Sequence, residues 1–125
     1  MPTFRNLTED ERDAALDAFD AQLLSIMEGQ RKLRERLETV KLDSDEAAEI
    51  KIAIIRLDLK ADEIMRKKED FEDDSLALQP PSAAMLEKMA ERVGAIREIN
   101  IRNETARGIL KAIVAVAGQL LKSPG

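Results

Sequence analysis

Apolar residues in the first third of the chain recur at alternating steps of three and four, the heptad spacing of a helix that packs against another helix. The run consists of Leu16, Phe19, Leu23, Ile26, Leu33, Leu37 and Val40, with Gln30 as its one polar member. Thr8 and Glu11 form the capping-box pattern that begins a helix. The sequence therefore predicts helix 1 over residues 9–40.

A second heptad run follows a short polar connection and predicts helix 2 over residues 45–72: Ala47, Ile50, Ile54, Leu57, Ala61, Ile64, Lys68 and Phe71. When the chain is folded back about a turn near residue 43, the two runs meet position by position. Val40 then lies beside Ala47, and Leu23 lies beside Ile64. Residues 1–74 are therefore predicted to form a long antiparallel, coiled-coil-like helical hairpin, with a register shifted by one heptad as the alternative.

Helix 2 carries a further apolar stripe outside this seam, made of Ala48, Ile52, Ile55 and Leu59. A two-helix hairpin would leave the stripe in water, although burial of one Ile or Leu side chain is worth roughly 1.5–3 kcal/mol. We therefore expect another helix to cover this stripe, and we assign Ile52, Ile55 and Leu59 to a contact surface.

The last third of the chain is predicted to form a third long helix. Pro80 and Pro81 make residues 75–82 a linker, because consecutive prolines end a preceding helix. The new helix is predicted from about residue 83 to residue 121 within the segment 83–125, with a bend at one of its glycines, Gly94, Gly108 or Gly118. The predicted fold is thus all-α, a three-helix bundle in one domain, completed within one chain or by exchange of helix 3 between copies.

The C-terminal half of this third helix is apolar on nearly all sides, and such a helix needs burial on several sides. We assign four of its residues to contact with a partner or with a second copy: Ile109, Ile113, Val116 and Leu120. Docking of this half on the stripe of helix 2 within one chain is the alternative. Membrane association is disfavoured, because the apolar run is shorter than the roughly 20 residues that span a bilayer.

Composition removes several kinds of chemistry. Of the 125 residues, 36% are charged and only 2% are aromatic, and the chain contains neither Cys nor His. Thiolate nucleophiles, His-based dyads, disulfides and ordinary zinc sites all need one of these residues. We therefore predict no catalytic residue, no cofactor and no metal site. The N-terminal residues lack the apolar core of a signal peptide, which predicts a cytoplasmic location.

Charge is distributed unevenly along the chain. The net charge is −5, with about −8 in residues 1–79 and about +3 in residues 80–125. Four carboxylates of helix 1 fall nearly in line: Asp10, Asp13, Asp17 and Asp20. Like charges at this spacing repel. Asp near a helix N-terminus complements the helix dipole and keeps the face solvated, and contact with a basic protein is the alternative. Nucleic-acid binding is disfavoured, because no basic patch with interleaved aromatic residues is present.

The composition still allows a metal site built from carboxylates. Residues 45–49, Asp-Glu-Ala-Ala-Glu, resemble the first acidic motif of all-helical nucleotide pyrophosphatases of the MazG type. The resemblance covers five residues and implies that Glu46 and Glu49 hold Mg²⁺. Acidic residues in the first turn of a helix also stabilise its N-terminus, which explains Glu46 and Glu49 without a metal.

The sequence as a whole favours a non-enzymatic scaffold or adaptor that binds protein partners, or copies of itself as a homo-oligomer, through apolar helix surfaces. An acidic inhibitor or antitoxin-like module that sequesters a basic protein is the second hypothesis. A carboxylate-dependent Mg²⁺ enzyme is the third.

Overall fold

The computed structural model describes residues 3–119 and residue 121, in which helices are joined by turns and extended segments. A 3₁₀ turn, Phe4–Asn6, precedes α1 (Glu9–Leu37), α2 (Asp45–Glu72), α3 (Ala83–Arg97) and α4 (Ala106–Ala117). The described residues contain no strand. Because the helices pack against one another, the predicted all-α bundle is confirmed.

The first turns of α1 and α2 are capped by side chains, and the capping box predicted at Thr8 and Glu11 is present. Thr8 accepts a hydrogen bond from the backbone N–H of Glu11, and the Glu11 carboxylate accepts one from the N–H of Thr8. Ser44 caps α2 by accepting from the N–H of Ala47 at 3.1 Å. These bonds satisfy N–H groups that the first helical turn leaves unpaired.

α1 lies at the centre of the bundle, since it packs against each of the other three helices. One buried face carries the large residues Phe19, Ile26 and Leu33. A second buried face carries small or short polar residues: Ala15, Ala18, Gln22, Ser25 and Gly29. Small side chains let neighbouring helices come close, and a methyl group added at Gly29 would overlap the Ile113 side chain of α4.

α1 and α2 run antiparallel. Gln30 Nε2 donates to the carbonyl oxygen of Ile54 at 3.0 Å and to Asp58 Oδ1 at 2.7 Å. Lys68 Nζ pairs with Asp20 Oδ1 at 3.1 Å. Gln30 is 7% exposed and its amide is hydrogen-bonded, so a polar residue is accommodated inside an otherwise apolar seam.

The prediction of one unbroken helix over residues 83–121 is wrong, because α3 ends at Arg97 and α4 begins at Ala106. In the intervening turn, Asn100 Oδ1 accepts from the N–H of Arg102 at 3.0 Å. Thr105 Oγ1 accepts from the N–H of Gly108 at 3.1 Å and so caps α4. Asn and Thr side chains that bond the backbone in this way compete with helical hydrogen bonds. The polar stretch therefore ends the helix, where a bend at a glycine was expected.

The N-terminal segment closes over the end of α2. Phe4 packs edge-on against Phe71, with ring centroids 5.4 Å apart. Asp74, in the left-handed region at φ 62°, accepts a hydrogen bond from the N–H of Arg5 at 2.6 Å. Asp is one of the residues that tolerate this backbone conformation, and the contact fixes the exit of the chain from α2.

Candidate protein-interaction surface

The second stripe of α2 faces water along its length. Ile52 is 49% exposed, Ile55 62% and Leu59 65%. At about 100° per residue, the stripe lies on the side of α2 opposite the buried residues Ile50 and Leu57. In the described residues α3 packs on α1 and α4, and α4 contacts α2 along one flank. The expected covering of the stripe by another helix is therefore not found among the described residues.

A groove between α2 and α4 adjoins the stripe and has a volume of about 590 Å³. Its lining includes the apolar residues Ile52, Ala53, Leu57, Leu110 and Val114 and the charged residues Glu49, Arg56, Lys60 and Arg107. Val114 is 52% exposed. Stripe and groove form one apolar surface, which we call the α2 surface: Ile52, Ile55, Leu59, Leu110 and Val114. Sequence reasoning missed Leu110 and Val114 as members, although both belong to the C-terminal apolar run.

Three of the α4 residues assigned to a partner contact are core residues of the chain itself. Ile109, Ile113 and Val116 are all 0% exposed. Val116 shares a cluster with Ala18 of α1 and Met89 of α3. Docking therefore occurs within one chain, but on α1 and not on the stripe of α2, and the three residues leave the candidate surface. Leu120 lies outside the described residues.

The small-residue face of α1 is the feature that sequence reasoning missed here. Its members step by three and four residues, as a second heptad seam does: Ala15, Ala18, Gln22, Ser25 and Gly29. That spacing was the available signal for a docking face. It was overlooked because small and polar side chains carry little hydrophobic weight.

The four aligned carboxylates of helix 1, Asp10, Asp13, Asp17 and Asp20, are all exposed. Asp20 pairs with Lys68 at 3.1 Å and is the one of the four that takes part in the ion pairs among described residues. Asp17 and Asp20 also border a depression toward α3, lined by Leu86 and Arg97. The four carboxylates therefore form a solvated, charged face.

Glu46 joins three parts of the bundle. Its carboxylate accepts from Arg36 Nε at 2.8 Å and Nη2 at 3.1 Å, and from the N–H of Ala106, the first residue of α4, at 3.1 Å. The hydrogen bond from Arg36 lowers the pKa of Glu46, and the same bond raises the pKa of Arg36. Arg36 also donates to the carbonyl oxygen of Ile101 at 2.8 Å. This ion pair therefore anchors the turn before α4.

The carboxylates that resemble a metal-binding motif have protein partners. Glu46 is bonded as described, and Glu49 pairs with Arg107 of α4 at 3.1 Å. Across residues 3–119 and 121, no group of three or more acidic side chains is placed to hold a metal ion. The five-residue resemblance gains no support from this arrangement.

None of the described helices meets the requirements of a bilayer span. Comparison with known proteins identifies no relative, so a functional proposal for this chain is based on the geometry of the α2 surface. The chain matches no protein family, no curated protein and no solved structure.

Proposed function

We propose that this protein is a non-enzymatic helical scaffold or adaptor that binds other protein chains through the α2 surface. The observation that supports this proposal is the row of large apolar side chains, Ile52, Ile55 and Leu59, exposed on one helix beside an apolar groove. Single exposed apolar residues are common on monomeric proteins, whereas contiguous ones mark contacts. Spacing of three and four residues is also typical of helix-in-groove recognition.

Burial of the exposed stripe by a partner would add hydrophobic free energy that folding of the chain alone does not provide. Because half to two-thirds of each side chain is still wet, a partner that covers Ile52, Ile55 and Leu59 gains roughly 1–2 kcal/mol from each. Charges of both signs border the apolar centre, at Lys51, Arg56 and Asp58. An apolar centre with a charged rim is the usual anatomy of a protein interface.

The surface is also preformed. The opposite side of α2 is fixed in the core by Ile50 at 0% exposure, Leu57 at 5% and Ile64 at 3%. A contact surface on a rigid helix loses little conformational entropy when a partner binds. The stripe can therefore act as a docking site without rearrangement of the bundle.

Site-specific photo-cross-linking in cells tests this proposal. A benzophenone amino acid at Ile55 places the reactive group in the middle of the stripe. Leu42, which is 77% exposed in the α1–α2 turn, provides an apolar control that is even more exposed than Ile55 and lies away from the stripe. We expect covalent protein adducts of defined mass from position 55 and none from position 42.

Leu59→Glu in the same chain should remove the adducts from position 55, because a carboxylate in the stripe opposes burial. If position 55 gives no more adduct than position 42, the stripe is not a protein contact and the proposal fails.

A further inference from the structure

The exposed stripe of α2 has the spacing of a coiled-coil seam of its own. Its members step by four, three and four residues and so alternate between d and a positions of a heptad: Ala48, Ile52, Ile55 and Leu59. The flanking positions are all charged, with Glu49 and Arg56 at e and with Lys51 and Asp58 at g. This pattern specifies a partner helix more closely than an apolar patch would.

A second copy of α2, laid antiparallel with Ile52 facing Ile55, gives four consecutive apolar layers. Twofold symmetry makes the Ile52–Ile55 layer occur twice, and it places Ala48 against Leu59 of the second copy twice. Every stripe member then meets an apolar residue.

The charges are complementary in the same arrangement. Antiparallel helices bring e positions beside e positions and g beside g. Glu49 then lies beside Arg56 of the second copy, and Lys51 lies beside Asp58 of the second copy. Symmetry doubles both, so all four flanking pairs join opposite charges.

Other arrangements of the two helices place like charges opposite each other. A parallel pair brings each g beside the e of the next heptad, which sets Lys51 against Arg56 and Asp58 against Glu63. An antiparallel pair shifted by one heptad sets Glu49 against Glu63, or else Glu49 against Glu49 and Lys51 against Lys51. Like charges across an interface act against those pairings. The charge pattern therefore selects one orientation and one register.

The bonds that these charges make within the chain do not prevent the contact. Glu49 pairs with Arg107, whose side chain is 85% exposed, and Asp58 accepts from Gln30 at 2.7 Å at the edge of the stripe. Because Arg107 is solvated, Glu49 can turn to Arg56 of a second copy without leaving a buried charge unpaired. Asp58 is exposed and accepts from Gln30 through Oδ1, and a carboxylate has lone pairs for a second donor, so Lys51 of a second copy can pair with it as well.

We infer that the α2 surface binds the α2 surface of a second copy of this chain, antiparallel and with Ile52 facing Ile55. The inference rests on the proposed function and names its partner. Residues 48–59 span about 17 Å of helix, which is short for a stable interface, so we expect a weak and reversible dimer.

Charge-reversed variants test this pairing. Glu49→Lys/Asp58→Lys makes all four flanking positions cationic, and Lys51→Glu/Arg56→Glu makes all four anionic. Each variant alone sets like charges at every pair, whereas an equimolar mixture restores opposite charges at every pair. Sedimentation equilibrium at low salt measures the dimer dissociation constant of the unmodified chain, of each variant and of the mixture.

We expect the unmodified chain to dimerise and each variant alone to dimerise about 100-fold more weakly, at roughly threefold for each of the four repulsive pairs. The mixture should regain most of the lost affinity. Glu87→Lys/Glu91→Lys, at exposed positions of α3, changes the net charge as much as the cationic variant and should dimerise like the unmodified chain.

A monomeric unmodified chain overturns the inference but leaves the proposed function standing, provided that position 55 still cross-links to a different protein. Undiminished dimers from both charge variants overturn it too, because the dimer then uses another surface. A dimer that survives Ile55→Glu, with no other adduct from position 55, removes the proposed function as well.

Discussion

The stripe of α2 and the apolar face of α4 have similar residues and spacing, yet the chain buries only one of them. Ile109, Ile113 and Val116 of α4 are fully buried, whereas Ile52, Ile55 and Leu59 of α2 are 49–65% exposed. The difference lies in what each face meets. The small residues of α1 leave room for α4, and the Ile113 side chain fills the space over Gly29.

The stripe of α2 has no such receiving face within the described residues. α2 already uses its opposite side, with Ile50, Leu57 and Ile64, to pack in the core. Hydrophobic periodicity therefore identifies which faces need burial, but a complementary surface decides whether burial occurs within one chain. An apolar face without a complementary surface in its own chain is a candidate contact for a partner.

The largest change in the free energy of unfolding should come from a substitution in the buried face of α4. Ile113→Ala removes a fully buried side chain next to Gly29 and should lower the free energy of unfolding by about 3–4 kcal/mol, because it leaves a cavity. Urea unfolding followed by circular dichroism measures the change. Val114→Ala, at the adjacent but 52% exposed position, is the matched control and should cost less than about 1 kcal/mol. Equal losses from the two variants would mean that α4 does not dock as described.

A smaller effect should come from the ion pair that holds the start of α4. Because its hydrogen bonds with Arg36 lower the pKa of Glu46, this group stabilises the fold fully above the reference pKa of 4.5. Its contribution is lost as the pH falls further, through the lower pKa of the folded state. Glu46→Gln should therefore lower the free energy of unfolding by about 1 kcal/mol at neutral pH, from weaker hydrogen bonds to Arg36 and Ala106.

The gap between Glu46→Gln and the unmodified chain should shrink as the pH falls below 4.5, which thermal unfolding at a series of pH values can measure. Glu49→Gln is the control, since Glu49 pairs with a solvated Arg107, and it should change the free energy of unfolding little at neutral pH. A gap that stays constant at low pH would show that the charge of Glu46 does not hold α4.

Local signals in the sequence predicted the elements well and their tertiary contacts less well. The capping box at Thr8 and the heptad runs predicted where α1 and α2 begin and that each has a buried seam. The division between α3 and α4 was missed, because the hydrogen bonds of Asn100 and Thr105 interrupt a stretch whose apolar pattern continues on both sides.

The candidate surface was predicted in part. Ile52, Ile55 and Leu59 were identified because their spacing separates them from the hairpin seam. The spacing of small residues in α1 was a signal for a docking face, but it did not indicate that α4 would dock there. The link from Glu46 to Ala106 joins residues far apart in the chain, and periodicity within one helix carries no signal for such a contact.

The smallest effect on stability is also the most direct test of the central claim, that the stripe of α2 is a contact surface and not part of the fold. The measurement is equilibrium urea unfolding of Ile55→Glu/Leu59→Glu, at a protein concentration low enough that self-association does not add to stability. We predict a free energy of unfolding within about 0.5 kcal/mol of the unmodified chain, as for exposed positions generally. A loss of about 2 kcal/mol or more, the size of a core defect, would contradict the account, because the stripe would then be buried within the single chain.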